Sequence, residues 1–190
     1  MLIDERGLCR ALREAWRVAG YTIINGIDAV TIYTEEFLLA TSWDKLPRKA
    51  LGLIAEQIGY LPTEAGALQI AKDEMPQTVL DDAAGGTVAA WTDHESAAEA
   101  SFVPLKLWGH QVYQTGTRTL YGVKPRVLGL IDERADEAEI WDGERAAWSL
   151  GDELVVLRAF RPDGEAAAFD PSITAAWKAL EAVDLRPAGE

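Results

Sequence analysis

Two histidines, His94 and His110, are the side chains in this sequence whose ordinary titration lies near neutral pH. His94 opens the run His94-Glu95-Ser96-Ala97-Ala98. That run begins like the zinc helix in which two histidines four residues apart hold the ion and the adjacent glutamate acts as base. Ala98 stands where the second ligand belongs, so the zinc reading fails at its deciding position. The bland alternative is helix capping, because Thr92 and Glu95 have the spacing of a reciprocal N-terminal box. A carboxylate- and histidine-dependent hydrolase, with or without a divalent cation, would use His94, Glu95 and His110. It would need the fold to bring them within hydrogen-bond reach of one another.

A second group is acidic: Asp132, Glu133, Asp136, Glu137, Glu139, Asp142 and Glu144. Asp132, Asp136 and Glu137 are its candidate ligands for a hard, oxygen-seeking cation. The EF-hand spacing is absent, and a solvated loop leading into the outer face of a hairpin explains the same composition. Such a surface could also imitate a phosphate backbone, which makes an acidic nucleic-acid mimic a further alternative.

The third group is basic. Arg6, Arg10, Arg13 and Arg17 are spaced four, three and four apart, so on a helix they share one face. That face is expected beside the apolar stripe of the same helix. Arginine suits bidentate pairing with carboxylates, so these four are the candidate partner-binding residues. Lys45, Arg48 and Lys49 would extend the patch if the fold brings them near. Seven tryptophans are spread along the chain. Trp16 and Trp177 lie on apolar helix stripes, and Trp141 and Trp148 flank a turn across which they could face each other.

Composition narrows the classes. The net charge of −13 argues against direct binding to nucleic-acid phosphates. The charge is uneven: residues 1–50 balance, and residues 51–190 carry the whole excess. A single cysteine, Cys9, excludes an internal disulfide and a cysteine-based metal cluster. No apolar run approaches the ~20 residues of a membrane span. No secretory leader precedes Asp4. The expected setting is the cytoplasm of a prokaryote or one of its mobile elements. Phosphate-loop, dinucleotide and nucleophile-elbow signatures are absent, and no cofactor is expected.

The elements that must position these residues emerge from periodicity and punctuation. Asp4 is a suitable N-cap, and Leu8, Ala11, Leu12, Ala15, Trp16 and Ala19 recur at helical spacing until Gly20. Tyr21–Ile24 and Ala29–Thr34 read as a hairpin around Asn25-Gly26. Phe37–Thr41 reads as a strand and Pro47 to Ile58 as a helix. In the middle, Leu68–Ala71 reads as a strand and Pro76 opens a short helix ending near Gly85-Gly86. Thr87–Trp91 reads as a strand, with a capped helix through Ala97, Ala98 and Ala100. From Phe102 onward the texture is β. The strands expected there are Phe102–Trp108, Gln111–Thr115, Thr119–Val123, Arg126–Ile131, Ala138–Trp141, Arg145–Leu150 and Glu153–Phe160. A last helix starts at Asp170-Pro171.

The pentapeptide Leu-Ile-Asp-Glu-Arg occurs twice, at Leu2–Arg6 and Leu130–Arg134. The flanks diverge at once, so the two copies read as coincidence rather than a repeat. The expected class is α+β: a mostly antiparallel sheet with three to five helices packed on it, β-rich in the C-terminal half. One domain over residues 1–190 is expected, with a change of texture near 100/101 that would mark a subdomain seam. The leading functional reading is a non-enzymatic protein-protein interaction or accessory protein, acting on a protein partner or by self-association, without a membrane.

Overall fold

The computed structural model describes residues 1–26, 28–132, 137–162 and 171–187. Among these residues five helices and eleven strands run in chain order: α1 (Glu5–Val18), β1 (Tyr21–Asn25), β2 (Val30–Tyr33), β3 (Phe37–Thr41), α2 (Arg48–Ile58), β4 (Gly66–Ile70), β5 (Gln77–Val79), α3 (Asp81–Thr92), β6 (Ala97–Leu107), β7 (His110–Thr115), β8 (Leu120–Val123), α4 (Pro125–Leu128), β9 (Glu137–Trp141), β10 (Arg145–Leu150), β11 (Glu153–Phe160) and α5 (Pro171–Glu181). The expected class, α+β and β-rich, is the observed one. The described strands form one antiparallel sheet in the order β10-β9-β6-β7-β8-β11-β3-β2-β1-β4-β5.

β11 organises this sheet. One of its edges pairs with β10; the other pairs with β3 through Leu154–Leu157 and then with β8 through Ala159 and Phe160. Strands β10, β9, β6, β7, β8 and β11 therefore close a ring, and β3, β2, β1, β4 and β5 extend from it. A strand with neighbours on both edges and cover on both faces should be apolar almost throughout, and Glu-Leu-Val-Val-Leu-Arg-Ala-Phe has that texture. Val155 and Leu157 enter the main core with α1, α2 and the ring interior. Leu154 and Val156 face the other way, toward Trp91 of α3. A third cluster, around Val103, Val112, Leu120 and the buried Trp177 of α5, covers the outside of β6–β8.

α1 forms for the reasons its sequence suggests. The Asp4 carboxylate accepts the Gly7 N–H at 2.6 Å, and Gly20 leaves the helix at φ +83°. Leu8 and Leu12 are fully buried, each worth about 1.5–3 kcal/mol of apolar transfer. Gly7 packs so closely on the turn after α4 that a Cβ there would overlap the Gly129 carbonyl oxygen.

Several local expectations are corrected. Residues 81–92 form one helix that runs through Gly85-Gly86, and Gln77–Val79 is extended. Flanking alanines and burial of Ala84 and Trp91 outweigh the cost of two helical glycines. The capped helix at Ala97–Ala100 is the first half of β6, because β9 supplies partners from Ala97↔Trp141 to Ser101↔Glu137. The supposed strand at Arg126–Ile131 begins as α4, with Pro125 in its first turn. Asn25, expected in the connection after Ile24, belongs to β1 and pairs with Val30. Its side chain instead accepts Trp43 Nε1–H at 2.6 Å and donates to the Glu64 carbonyl at 2.8 Å. Trp141 pairs with Arg145 and faces α3, whereas Trp148 enters the main core, so the two do not face each other.

Candidate interaction surface and groove

Arg6, Arg10, Arg13 and Arg17 are all exposed, while Gly7, Leu8, Cys9, Ala11 and Leu12 of the same helix are buried. At 3.6 residues per turn the four arginines fall within about 60° of one another. Their face is therefore opposite the apolar stripe, not beside it. The spacing defined the face; its relation to the stripe required summing the angles around the helix. Arg10 reaches the Arg126 carbonyl at 3.4 Å. Among the described residues, none of the four forms an ion pair within 4.0 Å.

The fold brings only part of the second basic group to this face. Lys49 of α2 pairs with Glu5 at 2.8 Å and holds its carboxyl below the usual range by hydrogen bonding. The exposed Arg48 precedes it. Lys45 turns away to Asp152, whose carboxyl it lowers in turn. Burial pushes the thiol of Cys9, on the inner face of α1, up from its ordinary value.

The histidines do not meet. They lie at opposite ends of the eleven-residue β6, a strand spanning roughly 30 Å. His94 is exposed, stacked on Trp141 at 4.2 Å, with Nδ1 donating to the Thr92 carbonyl at 2.9 Å. His110 stacks on Phe160 at 4.6 Å, and burial holds its pKa below the ordinary value. Glu95 contributes its backbone: its N–H and that of Ser96 donate to the Asp142 carboxylate. These bonds hold the Asp142 carboxyl below its ordinary range.

Of the acidic candidates, Asp136 lies outside the described residues. Asp132 donates its backbone N–H to the Leu2 carbonyl at 2.8 Å, and Glu137 is exposed at the start of β9. On the outer face of the ring, Glu99 of β6 stands directly opposite Glu139 of β9, a like-charge pair in register. No group of three or more acidic, histidine or cysteine side chains able to hold a metal occurs among the described residues.

A groove that the sequence did not reveal crosses the end of the sheet. Its larger part, about 460 Å³, lies between the Glu14 flank of α1, the β2–β3 turn and the last turns of α3. A second part, about 360 Å³, continues along α3 past Asp82 and Arg145. Thr87, Trp91 and Arg158 line both. Arg126 braces the α1 wall through ion pairs with Glu14 and Glu36, and Lys124 adds a contact to Glu36 at 2.9 Å. These lining residues come from seven stretches of chain with no common motif, so no local pattern could have marked them.

No protein-family profile matches this chain, and no curated protein matches it. Among solved structures it is similar to a DNA polymerase III subunit beta sliding clamp from Bartonella birtlesii LL-WM9, at 12% identity and a TM-score of 0.27. The match covers 91% of this chain and 67% of that chain, and at that TM-score it carries no argument about function. No helix among the described residues is long and apolar enough to cross a membrane.

Proposed function

We propose that this chain is a non-enzymatic interaction protein whose docking surface is the arginine face of α1. One observation carries the reading. Every described arginine beyond residue 100 holds a carboxylate, a carbonyl or an aromatic ring. Among the described residues Arg6, Arg13 and Arg17 have no such partner, and Arg10 reaches only a carbonyl. In a chain with 31 acidic and 18 basic residues, four arginines on one helix face with no carboxylate partner among the described residues are a surface that a carboxylate-rich partner would complete. An acidic surface of this kind exists on a second copy, where Glu99, Glu137 and Glu139 stand exposed on β6 and β9. The salt dependence of such pairing is strong, because both surfaces are open to screening.

Sedimentation velocity of the wild-type chain and of the Arg10→Gln/Arg13→Gln variant across a salt series tests this. The expected result is a discrete oligomer at low salt that dissociates as salt rises and is absent in the variant. A wild-type monomer at every salt concentration overturns self-pairing. In that case an acidic peptide, hexaglutamate, titrated into isotope-labelled protein reports whether the α1 face binds carboxylates at all. No shift on α1, or shifts retained by the variant, overturns the docking surface itself.

A further inference from the structure

Among the described residues β5 is the one strand of the sheet with a neighbour on a single edge. Every other strand has at least two neighbours, because β10 pairs with β11 and closes the far end. β5 pairs only with β4, through Gln69↔Gln77, Leu68↔Thr78 and Ala67↔Val79. Gln77 and Thr78 are exposed, and Leu80 continues the extended backbone at φ −62° and ψ 136° before α3 begins. The outer edge of Gln77–Val79 therefore turns backbone N–H and C=O groups to solvent, the template onto which another strand adds.

Two features mark this edge. Met75 and Leu80 flank it at 86% and 78% exposure, and they are two of the three most exposed large apolar side chains among the described residues. Scattered singly, such residues need no explanation; at both ends of an open strand edge they enlarge the apolar area that an added strand covers. The second feature is charge. Residues 72–82 hold Asp73, Glu74, Asp81 and Asp82 against a single cation, Lys72, which lies 3.7 Å from Asp73. Glu74, Asp81 and Asp82 form no ion pair within 4.0 Å among the described residues. Asp81 and Asp82 also suit the first turn of α3, where carboxylates complement the positive end of the helix.

A second copy is the wrong occupant for this edge. Antiparallel pairing of two β5 strands about Thr78 would bring Asp81 and Asp82 of each copy toward Glu74 and Asp73 of the other, a like-charge contact at both ends. The same carboxylates attract a strand that carries lysine or arginine at both ends. We propose that β5 receives an extended segment of a partner protein, basic at both ends and β-branched between them, which continues the antiparallel sheet beyond Gln77–Val79. Main-chain bonds give such a segment its hold, and the end charges give it selectivity. A three-residue strand spans roughly 10 Å, so a core of about five residues places the basic side chains beside the acidic pairs. The short length of β5 and Pro76, which has no N–H to offer, keep the edge from recruiting other strands. This surface is distinct from the arginine face of α1, which calls for carboxylates.

The probe is the peptide acetyl-KKTVTVTKK-amide, titrated into the isotope-labelled full chain and followed by the backbone N–H signals of Gln77, Thr78 and Val79. The expected result is saturable shifts there, with slower hydrogen exchange of the N–H groups on the outer edge. Affinity should fall roughly tenfold or more for acetyl-EETVTVTEE-amide, fall by a smaller factor in Asp73→Asn/Glu74→Gln, and stay unchanged in Arg10→Gln/Arg13→Gln. N-methylation of the two valines strips N–H groups from one edge of the peptide, and N-methylation of the three threonines strips them from the other. One of these two peptides should lose binding while the other keeps it. Absence of saturable shifts at residues 77–79 overturns the site. Equal binding by the glutamate-ended peptide overturns the choice of a basic segment, and binding retained by both methylated peptides overturns strand addition. None of these three outcomes depends on how a variant folds.

Discussion

Leu2-Ile3-Asp4-Glu5-Arg6 and Leu130-Ile131-Asp132-Glu133-Arg134 are the same five residues, and their described parts lie side by side in the folded chain. Ile3 and Ile131 form an antiparallel bridge. The Asp4 N–H donates to the Leu130 carbonyl and the Asp132 N–H to the Leu2 carbonyl, both at 2.8 Å. All four apolar side chains are buried. Up to the aspartate the two copies behave alike, because alternating backbone bonds and apolar burial are all that their shared residues ask for. Beyond it they part. Asp4 precedes Gly7 and the apolar stripe of α1, so its carboxylate becomes an N-cap. The first copy is also fastened to β11, where the buried Glu153 accepts the Leu2 N–H at 2.9 Å. An identical sequence thus acquires different roles from its downstream neighbours and from the strands packed against it.

Substitutions at five positions would break or sharpen this comparison. Ile3→Ala should cost about 2–5 kcal/mol, since a fully buried side chain leaves a cavity where two segments join. Ile131→Ala should fall in the same range, and because the two residues touch, the double variant should depart from additivity by about 0.5–3 kcal/mol. Urea unfolding of the three proteins measures both, and strict additivity would mean that the copies do not support each other. Gly7→Ala should cost about 1–3 kcal/mol through overlap with the Gly129 carbonyl, visible as a lower unfolding midpoint despite alanine's better helix propensity. Asp4→Ala should cost about 1 kcal/mol by removing the cap, with Asp4→Asn restoring most of it. Smallest of all, Glu5→Gln should leave the thermal midpoint nearly unchanged, because its contact with Lys49 is at the surface.

Much of the fold was legible wherever the deciding contacts lie near in the chain. β3 and β11 coincide residue for residue with the expected Phe37–Thr41 and Glu153–Phe160. α1 carries the cap and glycine that its sequence announces. Asp142 and Gly143 both adopt positive φ in the β9–β10 turn, as their types favour. The errors cluster at 76–101 and 126–131, where weak local preference met a strong tertiary partner. Ala97–Ala100 suits a helix in isolation and becomes a strand because β9 offers it backbone bonds. α3 keeps two glycines because Trp91 buries its ring against β3, β10 and β11.

The candidate sites divide along the same line. The arginine face was readable, because four residues on one helix are related by the helix's own geometry. The groove was not, because Arg158 meets Glu35, Trp91 and Arg145 only through strand pairing and helix packing. By itself, then, the sequence determined the antiparallel α+β class, most of its elements, the acidic balance and the basic helix face. All of these depend on residues within a few positions of each other or on simple counts. Tertiary structure alone decided that β11 closes a ring, that the two copies of one pentapeptide meet, that the histidines stay apart and that Arg158 stands in a cleft. Each of those depends on contacts between residues distant in the chain, and no local periodicity encodes such a distance.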